Sequence, residues 1–161
     1  MVASRLKPED QARLHIDEML EAAGWALQDY SGHVDFEAAT GVAVREFMTP
    51  QGPVDYLLVA GGKVVGSLEA KAEGHTLRSV ETQSERYNEG FKELVQSRDL
   101  GRYRDELSFQ YISTGVETLF TSRLDPISRG REVFHFHRPE TLARWAQQEH
   151  PFRARLRNEP R

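Results

Sequence analysis

Residues 42–71 constrain the fold more than any other stretch of this chain. Three short, β-branched-rich runs (42–48, 54–60 and 63–71) follow one another, broken only by Pro50-Gln51-Gly52-Pro53 and by Gly61-Gly62. Both breaks are turn chemistry, so the economical arrangement is a three-stranded antiparallel meander. Residues 8–23 precede it with helical spacing: Ala12, Ile16, Met19, Leu20 and Ala23 fall on one stripe. Pro8 suits the first turn, Glu9 and Asp10 complement the positive end of the dipole, and Gly24 is a C-cap. A polar loop covers about 29–41. After the meander, residues 78–96 return to helical spacing, with Val80, Ser84, Tyr87, Phe91, Leu94 and Val95 inward. Glu81, Glu85, Glu89 and Glu93 line a second, solvated face of that helix. Extended runs at 108–113, 116–121 and 132–136 and a short helix at 139–148 complete the chain. The expected class is α/β: an α-β-β-β-α-β core with a C-terminal β-hairpin and helix.

A chain of 161 residues suits one domain and buries enough surface to need no staple. We assign residues 1–150 to that domain and 151–161 to a basic linker. The absence of cysteine excludes a disulfide scaffold, a thiolate zinc site and thiol catalysis. No run of about 18 apolar residues occurs, and the N-terminus lacks the apolar segment of a signal peptide. A cytoplasmic protein without a membrane partner is therefore expected. The net charge of −4 is unevenly spread: residues 123–161 hold nine arginines against five acids. An Arg-rich segment of this kind suits phosphate contact as well as simple solvation.

The chemistry concentrates in Gly52-Pro53-Val54-Asp55, Glu69-Ala70-Lys71 and Gln83-Ser84-Glu85-Arg86-Tyr87. Asp55 interrupts an otherwise apolar strand, where aspartate is poorly suited. Glu69 and Lys71, two apart, share one strand face, while Leu68 and Ala70 take the other. Charges withdrawn from water need a partner or a metal. A shared divalent cation would satisfy the carboxylates of Asp55 and Glu69, with a backbone carbonyl and waters completing the shell. Lys71 would then offset charge on a phosphate under attack. Gln83, one turn from Tyr87, would orient a water or hold Lys71.

This reading sets a geometric condition. A plain two-residue turn at Gly61-Gly62 pairs Ala60 with Lys63 and Asp55 with Leu68, which puts Asp55 and Glu69 on opposite faces. The shared site therefore requires a longer loop or a β-bulge in the hairpin.

The order Pro-Asp, Glu-x-Lys, Gln-x3-Tyr resembles the PD-(D/E)xK nucleases of the RecB-like type. More closely, the chain resembles the N-terminal nuclease domain of the R (restriction and motor) subunit of type I restriction enzymes. Ile16-Asp17, Ala22-Ala23-Gly24-Trp25, Gly41-Val42-Ala43-Val44-Arg45-Glu46-Phe47 and Gly66-Ser67-Leu68-Glu69-Ala70-Lys71 match in order and spacing. Ser113-Thr114-Gly115-Val116-Glu117-Thr118 and Phe134-His135-Phe136-His137-Arg138-Pro139-Glu140 match as well. The resemblance implies an Mg²⁺-dependent endonuclease acting on double-stranded DNA, with Mn²⁺ as a substitute and 5′-phosphate and 3′-hydroxyl ends as products. Asp55, Glu69 and the Ala70 carbonyl would hold the metal, Lys71 would position or activate the nucleophile, and Gln83 and Tyr87 would support the site. It also implies methyltransferase and specificity subunits as partners. ATP would be used only by the motor of the full-length subunit, because this chain has no Gly-x4-Gly-Lys-Ser/Thr loop. Residues 151–161 then read as a linker toward that missing motor.

Some members of the superfamily add a first-helix glutamate. Glu9, Glu18 and Glu21 are available here, and spacing selects none. Glu46 either approaches the site or pairs with a basic residue. His135 and His137 share a strand face without a third metal ligand, so both read as ordinary strand residues. His75 lies near the site in sequence, without an assignable role. Two other functions fit the same residues: a docking module that keeps the fold without the chemistry, and a stand-alone repair or junction-cleaving nuclease.

Overall fold

The computed structural model describes residues 6–31, 33–50, 52–74, 77, 101, 107–126 and 129–148. Helix α1 (Pro8–Ala22) is followed by β1 (Ala26–Asp29), β2 (Gly41–Thr49), β3 (Gly52–Ala60) and β4 (Lys63–Ala70). Strands β5 (Phe109–Ser113), β6 (Thr118–Ser122) and β7 (Arg131–Val133) and helix α2 (Pro139–Gln147) complete the described elements. One sheet contains all seven strands, in chain order β1 to β7. The pairs β1–β2 and β4–β5 are parallel; the other four are antiparallel. The fold is therefore mixed α/β, and β2–β3–β4 is the expected meander.

Two departures have local causes. Ala26–Asp29 is too short for its sequence to declare a strand; parallel pairing of Ala26 with Val42 and Gln28 with Val44 makes it one. The 132–136 run stops pairing at Val133. Beyond it the chain leaves the sheet, so that Phe136 and His137 pack over Tyr111, with ring centroids 5.0 and 6.0 Å away. His135 and His137 are therefore not strand residues. The helix expected over 78–96, with Gln83, Tyr87 and its glutamate stripe, lies outside the described residues, as do His75 and the 151–161 linker.

Apolar side chains cover both faces of the sheet, as a central sheet requires. On one face, Ile16 and Leu20 of α1 and Leu142 and Ala146 of α2 join Tyr56, Leu58, Leu68, Phe109, Tyr111 and Phe120. On the other, Val42, Val44, Phe47, Leu57, Val59 and Val64 form a second cluster. Helix α1 is tied to the sheet by Asp17, which accepts the Tyr56 hydroxyl at 2.6 Å and the Arg45 guanidinium at 3.0 Å. Burial and the neighbouring Asp17 carboxylate raise the Tyr56 pKa, so its hydroxyl remains a donor. That clamp sets the position of the helical turn that precedes it.

A candidate active site built on a bulged hairpin

Gly61 and Gly62, with φ of +62° and +75°, form a two-residue turn of the kind that matches strand twist. Ala60 accordingly faces Lys63 and Val59 faces Val64, but Leu58 faces Gly66. Val65 is the extra residue of a β-bulge, buried in the helix-side core. The bulge shifts the register, so that Tyr56 faces Leu68. Continued by one residue, that register sets Asp55 against Glu69. A tight turn plus a bulge thus meets the geometric condition in place of a longer loop.

The next backbone contact agrees. The amide of Ala70 donates to Asp55 Oδ2 at 2.8 Å, which fixes the carboxylate against the end of β4. Asp55 and Glu69 side chains are only 18% and 16% exposed. Both line a small hollow of about 20 Å³ with Ser67, Gln110 and Ile112. Lys71 Nζ lies 3.0 Å from Glu69 Oε1. The structure therefore brings Asp55, Glu69, Ala70 and Lys71 together.

One residue of the site, Arg13, escapes simple sequence reasoning. Arg13, on α1, donates to Asp55 Oδ1 at 2.6 Å and to Glu46 Oε1 at 2.9 Å, and lies 3.7 Å from Glu9. Glu46 thus both approaches the site and pairs with a base. Its φ of +53° is strained for a residue with a side chain. The alternation of β2 slips there: Phe47 joins the cluster of Val42 and Val44, although it stands an odd number of residues away. The slip leaves Arg45 and Glu46 both directed at α1, one toward Asp17 and the other toward Arg13. Of the three first-helix glutamates, all exposed, Glu9 lies 3.7 Å from Arg13. The Glu9–Arg13 spacing of four was the only sequence signal.

Electrostatics follow from this crowding. Burial raises the Asp55 pKa and Glu9 adds to the rise, against the Ala70 amide and the Arg13 and Lys71 charges, which lower it. For Lys71, burial works to lower the pKa. The hydrogen bond and charge of Glu69, with Asp55 and Glu9, outweigh that burial and hold it above the ordinary lysine value. Lys71 is thus a cation at neutral pH, suited to stabilising negative charge rather than to accepting a proton. Among the described residues, no three His, Asp or Glu side chains converge closely enough to hold a metal unaided. Asp55 and Glu69 nonetheless suit Mg²⁺, which takes one or two carboxylates and keeps several waters. Asp55 Oδ1 already holds a cationic group, the Arg13 guanidinium, in a cation's place.

His135 is exposed, whereas His137 belongs to a second polar group across the sheet. Its Nδ1 lies 2.5 Å from the Tyr111 hydroxyl, its amide donates to the same oxygen at 3.1 Å, and its carbonyl accepts Trp25 Nε1 at 3.0 Å. No described helix is long and apolar enough to cross a membrane.

Comparison with known proteins bears on the fold and the family. A solved fragment assigned as an HsdR subunit of a type I restriction enzyme from Vibrio vulnificus YJ016 is similar over 88% of the chain. Its TM-score is 0.58 at 18% identity, so the likeness is one of fold. The chain spans 25% of that structure's length. No curated protein matches the sequence. The family model for the second domain of the type I restriction enzyme EcoKI endonuclease subunit matches residues 21–113, more than half of the chain, and the chain belongs to that family.

Proposed function

We propose that this endonuclease-subunit domain is a metal-dependent DNA phosphodiesterase of the PD-(D/E)xK type. The observation that supports it is the Val65 bulge, which sets Asp55 against Glu69 on a hairpin that would otherwise separate them. Asp55, Glu69 and the Ala70 carbonyl would hold Mg²⁺, or Mn²⁺ in its place. When bound, the ion supplies Lewis-acid polarisation of the phosphate and a lowered pKa for water. The Ala70 amide keeps Asp55 in a single orientation. Lys71, held by Glu69, places a fixed positive charge where the phosphate gains negative charge. Gln83 orients the attacking water or Lys71, and Tyr87 supports it. Attack on phosphorus with loss of the 3′ oxygen leaves 5′-phosphate and 3′-hydroxyl ends.

The substrate on this reading is double-stranded DNA, in the cytoplasm. Target recognition belongs to methyltransferase and specificity subunits, and ATP to a motor elsewhere in the same subunit. Supercoiled-plasmid nicking with Mg²⁺ or Mn²⁺ tests the proposal. Wild type should nick, and Asp55→Asn, Glu69→Gln and Lys71→Ala should each lose about 100-fold or more, as removal of a charge-stabilising group does. Variants that nick like wild type would favour the docking-module reading.

A further inference from the structure

Arg13 occupies an unusual position. Its two terminal nitrogens reach carboxylates from three elements: Glu9 on α1, Glu46 on β2 and Asp55 on β3. Its Nε is fully buried and has no hydrogen-bond partner among the described residues. Most buried polar side-chain atoms have a hydrogen-bond partner. This guanidinium leaves a donor unsatisfied, and one of its acceptors rests on a strained backbone at Glu46. The contact also takes up the second oxygen of Asp55. Asp55 Oδ2 takes the Ala70 amide and Oδ1 takes Arg13, so both oxygens are engaged before any metal arrives.

We infer that Arg13 is an exchangeable internal counter-ion: it neutralises Asp55 in the metal-free protein, and a divalent cation must displace its guanidinium from Oδ1 to bind. The inference rests on the proposed metal site and adds a gate to it. Displacement moves a positive charge away from an incoming one. It also frees the buried Nε to reach water, and lets Asp55 exchange one cation for another without a moment of uncompensated burial. Lys71 does not share this role, because its direct contact is with Glu69 and it reaches Asp55 only as a nearby charge.

The test needs no DNA. Mn²⁺ is titrated calorimetrically into wild type, Arg13→Gln, Arg13→Lys and Asp55→Ala. Arg13→Gln should bind Mn²⁺ about tenfold tighter than wild type, a factor within reach of one neighbouring charge. Arg13→Lys, which keeps the charge, should stay near wild type. Without metal, Arg13→Gln should melt below wild type, and saturating Mn²⁺ should close the gap. If Arg13→Gln fails to fold, wild type still decides. With diamagnetic Mg²⁺, the Arg13 Nε–H NMR signal, identified by its loss in Arg13→Lys, should pass from slow to fast solvent exchange. Unchanged or weaker Mn²⁺ binding by Arg13→Gln, or an Nε–H signal indifferent to Mg²⁺, would overturn the gate while leaving the site intact. Absence of Mn²⁺ binding by wild type and Arg13→Gln alike would overturn the gate and the metal site together.

Discussion

Two polar groups flank the same sheet, and their chemistry differs. Around Asp55, among the described residues, the carboxylates of Glu9, Glu46, Asp55 and Glu69 pair with the cations of Arg13 and Lys71. Around Tyr111, the hydrogen-bonded groups pair with one another and none is a carboxylate, with Arg131 the nearby charge. Tyr111 joins both nitrogens of His137 that face it, and the His137 carbonyl takes the Trp25 indole. The first group contains a buried unpartnered nitrogen and a left-handed glutamate. The second closes on itself among Phe120, Phe136 and Trp145. A fully matched buried network fixes a fold, whereas an unbalanced one is kept where chemistry needs it. Function belongs with the network that is acid-rich and incompletely satisfied, rather than with the most deeply buried one.

Breaking the strand between the groups should have the largest effect. Gly66 follows the bulge on β4, and a Cβ there would stand 2.4 Å from the Phe109 carbonyl of β5. Gly66→Ala should therefore destabilise the protein by about 2–3 kcal/mol, measured by thermal or urea unfolding, and loosen both networks. Tyr111→Phe attacks the matched network alone. It leaves the His137 amide and Nδ1 without their partner, for about 1–2 kcal/mol in the same assay, and should leave Mn²⁺ affinity unchanged.

Acid gives a smaller, graded probe of the same network. Burial lowers the His137 pKa, and the Arg131 charge lowers it further. A Tyr111 hydroxyl that donates to Nδ1 requires that nitrogen unprotonated. In the pH range between the lowered folded value and the ordinary 6.5, the unfolded chain binds more protons. The His137 contribution is thus complete above the ordinary value and is lost as pH falls through the folded one. His137→Gln should flatten the melting-temperature profile over that acid limb; an unaltered profile would remove His137 from the account. The smallest effect is expected at the exposed Arg138–Glu140 pair, 3.6 Å apart, where Arg138→Ala should change stability by less than about 0.5 kcal/mol.

Much of this arrangement is legible in the residues. Two breaks of turn chemistry define the meander, and charged side chains in apolar runs mark Asp55, Glu69 and Lys71. The bulge is legible only as a requirement: nothing in Val64-Val65-Gly66 announces which residue is extra, because β-branched side chains suit either face. Arg13 is hidden for a different reason. A surface arginine four residues from a glutamate is an ordinary helical pair, and its reach to β2 and β3 depends on how the Asp17 clamp seats α1. Likewise, the 134–137 segment alternates like a strand. Off the sheet it meets the Tyr111 hydroxyl, a tertiary partner that local sequence does not reveal.

Whether Asp55 and Glu69 form one metal-dependent site is decided by calorimetry. Mg²⁺ or Mn²⁺ is titrated into wild type and the Asp55→Ala/Glu69→Ala double variant, each checked for cooperative unfolding, with plasmid nicking read alongside. The account predicts saturable binding and nicking by wild type, both abolished in a folded double variant. Metal binding and DNA cutting that are the same in the two proteins would contradict it.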